Sequence, residues 1–453
     1  MSWRSKIRSL DAERVAGALA ALFAAVVAVT CAASGELASS ARSAPAPAAS
    51  SAEVPRSASP ARSLGLGAPA SSESPAPSAA SSAPPAPPPA RGLERFHAAL
   101  AALAAGTRRE SVRVLWLGDS HTYADFWTDA VRRPLQARFG NGGPGYLLLG
   151  VKPYRHAGVT VVTEGSWRRE PSAPSTSART SDGQFGLAGM RVTPASEGAV
   201  AAASPLSGAL GGTARWTLYF RAKSASDRLS VRLGDRAPTT LDARAGTAGP
   251  SGTPVRRFEV EGEASARLEV RAVSGAPELF GAVLESTTPG VVLDTLGING
   301  ARASTPLAWD ETAWIAEVRA RRPELVVLAY GTNEVAETRP VERYRAHYQA
   351  LLGRIRLAAP EADCLLAGPT DWDEPSGTTR QRVIDIDRVE REVAAELGCR
   401  YFSVYDAMGG EGSHTRWERA SPALAAPDGI HLMPAGYAKL GELVADALLP
   451  AGR

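Results

Sequence analysis

Two parts of the chain alternate short, almost unbroken apolar runs with amphipathic stretches, and that alternation sets the expected fold. Val112–Leu117, Val291–Leu296 and Leu325–Tyr330 are apolar at nearly every position, the pattern of strands buried on both faces. Further strands are expected near residues 363 and 400, with helical patterns near 126, 309, 341, 380 and 437. Strands alternating with helices in this way predict an α/β fold, a three-layer doubly wound parallel sheet of flavodoxin-like type. Ligands of such sheets bind at the carboxyl ends of the strands. Between the two parts the period changes. Trp216–Phe220, Leu229–Leu233, Arg257–Val260, Ala266–Val273 and Leu279–Leu284 are short runs, several alternating apolar with polar and all divided by turn residues. They predict an inserted all-β sandwich over residues 151–285, which splits the α/β fold into residues 92–150 and 286–453.

Neither period continues into the N-terminal ninety residues. Arg4, Lys6 and Arg8 precede an apolar stretch, Val15–Ala33, and a basic front with a short apolar core predicts a signal peptide or signal anchor over residues 1–37. Cys31 at its end follows Ala28-Val29-Thr30, a poor lipidation signal, so lipidation ranks below the unlipidated options. Residues 38–91 are almost entirely Ala, Pro and Ser, too poor in apolar surface to fold, and are expected to form a disordered tether. At about 3 Å per residue, some fifty residues of extended chain span on the order of 150 Å. The remainder is expected to be exported, in the periplasm or cell envelope, as a monomer with a membrane tether through the N-terminal segment.

Composition narrows the chemistry. The chain has 453 residues, 44% of them hydrophobic, enough for more than one core. A formal charge of +3 offers no electrostatic case for nucleic-acid binding. The six histidines are scattered, and Cys31, Cys364 and Cys399 lack metal-ligand spacing, so neither metal nor cofactor is expected. Cys364 and Cys399 open what should be neighbouring strands, as a disulfide or as two buried thiols.

Three strand ends carry groups that fit one reaction. Val112–Leu117 stops at Gly118-Asp119-Ser120-His121, a small turn that presents one hydroxyl; by itself Ser120 is a nucleophile or a plain helix cap. Leu325–Tyr330 runs into Gly331-Thr332-Asn333, and Asp428-Gly429-Ile430-His431 precedes the last helix. A serine hydroxyl needs a base within hydrogen-bond reach, and an imidazole needs a third group to fix its tautomer. His431 and Asp428 supply both. The oxyanion needs donors, which the Asn333 side chain and the backbone of Gly297-Ile298-Asn299-Gly300 offer.

In these residues the chain resembles the SGNH (GDSL-type) hydrolases. Gly118-Asp119-Ser120, Gly297–Gly300, Gly331–Asn333 and Asp428–His431 are similar, in order, to four of that family's blocks. The resemblance implies Ser120 as nucleophile, His431 as base and Asp428 as its orienter, with the N–H groups of Ser120 and Gly300 and the amide of Asn333 as oxyanion hole. Two positions depart from the usual pattern: His121 stands where leucine is usual, and Glu334 where aspartate is. Both variants resemble the branch containing bacterial peptidoglycan O-acetylesterases. In that branch a carbohydrate-binding-like β module occupies the place of the insert, and Asn141–Tyr146 resembles its Gly-rich entry.

The implied activity is removal of O-acetyl groups from a cell-envelope glycan, peptidoglycan first, through an acyl-enzyme. An O-acetyltransferase with the same machinery is the alternative; a non-catalytic glycan-binding protein is disfavoured because all four chemical positions are intact. His121 and Thr122 are substrate-contact candidates or capping residues, and Asp371 and Trp372 are candidates for the pocket wall or for loop packing.

Overall fold

A computed structural model describes residues 92–171, 181–249 and 251–450. The expected signal segment, the Ala/Pro/Ser tether and Cys31 lie outside the described residues. Among the described residues no helix is long and apolar enough to cross a membrane.

The α/β part runs α1 (Glu94–Ala104), β1 (Val112–Gly118), α2 (Trp127–Phe139), β2 (Val291–Gly297), α3 (Glu311–Arg321), β3 (Leu325–Ala329), α4 (Val341–Ala358), β4 (Asp363–Ala367), α5 (Gln381–Glu396), β5 (Arg400–Phe402) and α6 (Pro434–Leu448). Its strands form one parallel sheet in the order β2-β1-β3-β4-β5. Successive side chains of a strand face opposite sides, and here both sides are covered. Leu115, Leu117, Val326 and Leu328 join a core with Trp314, Tyr348 and Ile386 of α3, α4 and α5. Val114, Trp116, Leu293 and Val327 face Phe96, Val131 and Leu440 of α1, α2 and α6. This double burial is why the strands read as continuous apolar runs, and the three-layer α/β expectation holds.

Two antiparallel sheets occupy the interval between β1 and β2. One orders Thr247–Ala248, Arg256–Glu263, Thr213–Arg221, Glu278–Ser286, Arg191–Pro194 and Trp167–Glu170, with Gly145–Leu147 also paired to Glu278–Ser286. The other orders Val159–Glu164, Val200–Pro205, Leu268–Ser274, Arg228–Leu233 and Thr239–Leu241. Trp216, Leu218 and Phe220 of the first share a core with Val231, Leu268 and Val270 of the second, a sandwich.

The seam with the parallel sheet begins ahead of residue 151 and combines a shared apolar core with buried ion pairs. The Tyr146 N–H donates to Asp294 of β2 at 2.8 Å, and Arg321 clamps the same carboxylate at 2.6 and 2.9 Å. Arg321 also meets Glu285 of the insert at 2.6 Å, and Arg113 of β1 donates to Glu285 at 3.0 Å. Asp294 is fully buried. Removing one member would strand its partner's charge, a loss of about 3–5 kcal/mol.

Cys364 and Cys399 form a disulfide, which ties the start of β4 to the residue before β5 and decides between the two expected states of these thiols.

Candidate active site

Parallel register brings the candidate loops side by side. Gly118 at the end of β1 pairs with Gly297 of β2 and Ala329 of β3, so the turns that follow all leave the same edge of the sheet. They touch because Gly118 and Gly297 have no side chains. A Cβ on Gly118 would collide with Thr122 Oγ1 and lie 2.9 Å from the Ala329 carbonyl, and one on Gly297 would collide with the backbone of Tyr123.

Beyond Gly118 a single helical turn, Ser120–Tyr123, begins. Asp119 caps it, its side chain accepting from the His121 N–H at 3.0 Å, so the capping role falls to Asp119 and the Ser120 hydroxyl is free for another partner. That partner is His431: Ser120 Oγ lies 2.9 Å from His431 Nε2. On the far side of the ring, His431 Nδ1 lies 2.7 Å from Asp428 Oδ2. The other carboxylate oxygen, Oδ1, accepts the N–H groups of Ile430 at 3.0 Å and His431 at 2.9 Å. An ionised carboxylate only accepts, so Nδ1 of His431 carries the proton and Nε2 presents its lone pair to Ser120. Burial opposes ionisation of Asp428, but the hydrogen bond and charge of His431, with the two N–H groups, outweigh it and hold the carboxyl well below its usual range.

Asn333 lies in the turn Thr332–Val335 after β3 and donates through Nδ2 to the Ala301 carbonyl at 2.9 Å, which ties it to the segment that follows Gly300. Glu334 makes a second latch, Oε1 accepting from the Ala303 N–H at 2.8 Å. Burial pushes the Glu334 carboxyl up to about 8. Asp119 is likewise pushed up to about 7 by burial, against the pull of the His121 N–H and His431.

Three of the four expected substrate contacts need correction. His121 is buried, with Nδ1 2.9 Å from Tyr437 Oη and Nε2 3.3 Å from Thr370 Oγ1, and its ring centroid is 5.3 Å from that of His431. It backs the candidate base and does not face solvent. Burial first, then the charge of His431, keep it neutral. Thr122 is fully buried under Gly118. Asp371 is fully buried too, accepting from Thr379 Oγ1 at 2.7 Å, Ser413 Oγ at 3.0 Å and the His414 N–H at 3.1 Å, an internal staple. Trp372 alone is half-exposed: its Nε1 lies beside Gly429 of the Asp428–His431 turn, and the Arg380 guanidinium covers its ring at 4.9 Å.

A buried hub behind the Ser120 turn escaped the sequence reading. Asp125 has a positive φ of 52° and accepts from Arg132 at 2.6 Å, Thr128 at 2.5 Å, Thr295 of β2 at 2.8 Å and the Ala157 N–H at 2.8 Å. Arg155 donates to the Ala124 and Asp125 carbonyls at 2.7 and 3.1 Å. The turn after the candidate nucleophile is thus held by α2, the sheet and the insert together. Asp125 precedes α2 in a left-handed backbone conformation, so no helical spacing announced its pairing with Arg132.

The model of the GDSL-like Lipase/Acylhydrolase family matches residues 247–439, a span holding Gly300, Asn333, Asp428 and His431. Ser120 precedes this span because the insert separates it from the other blocks. Among solved structures, a peptidoglycan O-acetylesterase is similar over 80% of this chain and 97% of its own length, with 24% identity and a TM-score of 0.66. That share takes in the β unit, since the α/β segments alone make up about half of the sequence. A lipase/acylhydrolase from Enterococcus faecalis aligns over 35% of this chain and 75% of its own at 22% identity, with a TM-score of 0.27. An acetylxylan esterase from Geobacillus stearothermophilus aligns over 35% and 73% at 19% identity, with a TM-score of 0.29. No curated protein matches the sequence. The matched span, the parallel-sheet fold and the blocks at its strand ends agree: residues 247–439 of this chain are similar to the GDSL-like Lipase/Acylhydrolase family.

Proposed function

We propose that this protein is a serine esterase that removes O-acetyl groups from a cell-envelope glycan, peptidoglycan in the first place, through an acyl-enzyme. The observation that carries the reading is the hydrogen-bonded chain from Ser120 Oγ through His431 to Asp428, at 2.9 and 2.7 Å, on the carboxyl edge of a parallel sheet. His431 Nε2 takes the hydroxyl proton as Ser120 Oγ attacks the acetyl carbon. Negative charge develops on the carbonyl oxygen, met by the N–H groups of Ser120 and Gly300 and by Asn333. The Asn333 amide has two N–H bonds; one is spent on Ala301 and the other remains for the oxyanion. Imidazolium then returns the proton to the departing sugar oxygen, and water, activated by the same nitrogen, releases acetate.

The glycan part of the reading is supported by the similarity in fold to a peptidoglycan O-acetylesterase, β unit included. Export is part of the same proposal, and the Cys364–Cys399 disulfide suits an oxidising compartment. The test uses Ser120→Ala and His431→Ala. Each is expected to lower hydrolysis of p-nitrophenyl acetate by about 10³-fold or more, with the double variant little worse than either single. O-acetylated peptidoglycan should release acetate without an added acceptor. Retention of more than a tenth of the rate by Ser120→Ala would remove it as nucleophile, and acetate appearing only as a transferred group would make the protein a transferase.

A further inference from the structure

Two hydrogen bonds hold the His431 ring, Nε2 to Ser120 and Nδ1 to Asp428. Both lie near one line across the imidazole, so they fix its ends and leave rotation about that line unopposed. The last torsion of a histidine side chain is soft, and what stops it must press on a face of the ring. His121 stands there, its ring centroid 5.3 Å from that of His431 and the two planes tilted by 38°.

His121 is itself locked in place. Both of its ring nitrogens are spent, on Tyr437 Oη at 2.9 Å and Thr370 Oγ1 at 3.3 Å. Tyr437 meets His121 edge-on, with centroids 5.8 Å apart and planes at 66°, and lies parallel to Phe126 at 6.1 Å and 8°. Phe126 is covered in turn by the Arg155 guanidinium, 3.9 Å from its ring centroid. These spacings are those at which aromatic rings and cations attract one another. Arg155 belongs to the insert, and its Nη1 donates to the Ala124 and Asp125 carbonyls at 2.7 and 3.1 Å, the backbone just ahead of Phe126. Four side chains, Arg155, Phe126, Tyr437 and His121, thus form one column that starts in the β unit and ends on the face of the base.

We propose that this column positions His431: His121 is a positioning residue that holds the imidazole in line with Ser120, and Arg155 ties the β unit to it through Phe126 and Tyr437. The proposal rests on the esterase reading above and adds how the insert takes part in turnover without touching the reacting ester. Because the column meets only the face of His431, its loss is felt in kcat and leaves the KM of a small ester unchanged.

The test uses the full chain and p-nitrophenyl acetate, with rates taken well below the Tm of each variant. His121→Ala empties the face of the base and is expected to lower kcat by about ten- to hundredfold at unchanged KM, the scale of a small misplacement of a reacting group. His121→Leu refills that face and should recover at least several-fold of the loss. Arg155→Met keeps the stem without the guanidinium and should cost about three- to tenfold in kcat. Added to His121→Ala it should cost less than about twofold more, since both act along one path. Should His121→Ala not fold, Tyr437→Phe, which keeps the stack and frees the His121 ring, takes its place in these comparisons. Parent kcat in His121→Ala, a leucine variant no faster than the alanine variant, or losses at Arg155 and His121 that simply multiply, each overturns the column and leaves the esterase reading standing. An inert parent, or Ser120→Ala that keeps its rate, overturns the esterase reading and the column together.

Discussion

Replacing Asp428 by asparagine should silence the enzyme without loosening it, and the geometry says why. Oδ1 of Asp428 already accepts two backbone N–H groups, those of Ile430 and His431, and an amide oxygen in the same place accepts both. The amide nitrogen must then take the position of Oδ2, 2.7 Å from His431 Nδ1. There it can only donate. His431 is forced to accept at Nδ1 and to carry its proton on Nε2, the atom that faces Ser120, so the base is protonated where it should accept. A wrong-tautomer substitution of this kind costs about 10⁴-fold in kcat, or about 5 kcal/mol of transition-state stabilisation. Asp428→Ala removes the two turn hydrogen bonds as well, a loss of about 1–3 kcal/mol in stability, but leaves the tautomer free. The expected signature is therefore an asparagine variant at least as slow as the alanine variant and distinctly more stable. Initial rates on p-nitrophenyl acetate and urea unfolding of the three proteins measure both quantities. An asparagine variant that kept a tenth of the parent kcat would refute the assignment of His431 as a base oriented by Asp428. There is a second readout at low pH. The folded Asp428 carboxyl is held well below its unfolded value, so its contribution to stability is fully present above about pH 4 and is lost progressively as pH falls below that toward the folded value; the asparagine variant should lack this part of the acid limb.

Asn333→Ala should lower kcat by about 10²-fold with little change in KM, because the amide meets charge present only in the transition state; a loss carried by KM alone would assign Asn333 to ground-state binding. Glu334→Gln tests the buried latch. Its folded carboxyl is raised from 4.5 to about 8, so its stabilisation is complete below about pH 4.5 and is lost as pH rises to about 8, at no more than about 1.4 kcal/mol per pH unit. The Tm of the glutamine variant should fall less between pH 5 and 8 than that of the parent, and parallel curves would count against a protonated Glu334. Cys399→Ser opens a loop of 35 residues in sequence separation and should cost up to about 4 kcal/mol in unfolding free energy; equal stability of parent and variant under non-reducing conditions would show that the disulfide contributes nothing.

Much of this architecture is legible in one dimension because each signal is local. β1, β2 and β3 announce themselves as apolar runs since a strand covered on both faces has no polar side to show, and Arg228–Leu233 of the insert alternates because one of its faces is wet. The Asp428–His431 pair is equally local, three residues on one turn. Spacing cannot say which side of a single helical turn faces inward. His121 and Thr122 follow Ser120 directly, yet close approach of β2 at Gly297 and of Tyr437 on α6 buries both and leaves Ser120 part-exposed. Asp371 looked like a pocket acid because a carboxylate after a strand usually faces water, and only the packing of Ser413 and His414 against it made it a staple. The same holds for the pairing of Gly145–Leu147 with Glu278–Ser286 and for the bond between Cys364 and Cys399. Sequence by itself determined the period of each element and the chemistry at the strand ends. The tertiary structure decided the partners: Ser120 and His431 stand 311 residues apart, and the packing of α6 on α2, with Tyr437 against His121, brings the turn before α6 onto the Ser120 turn.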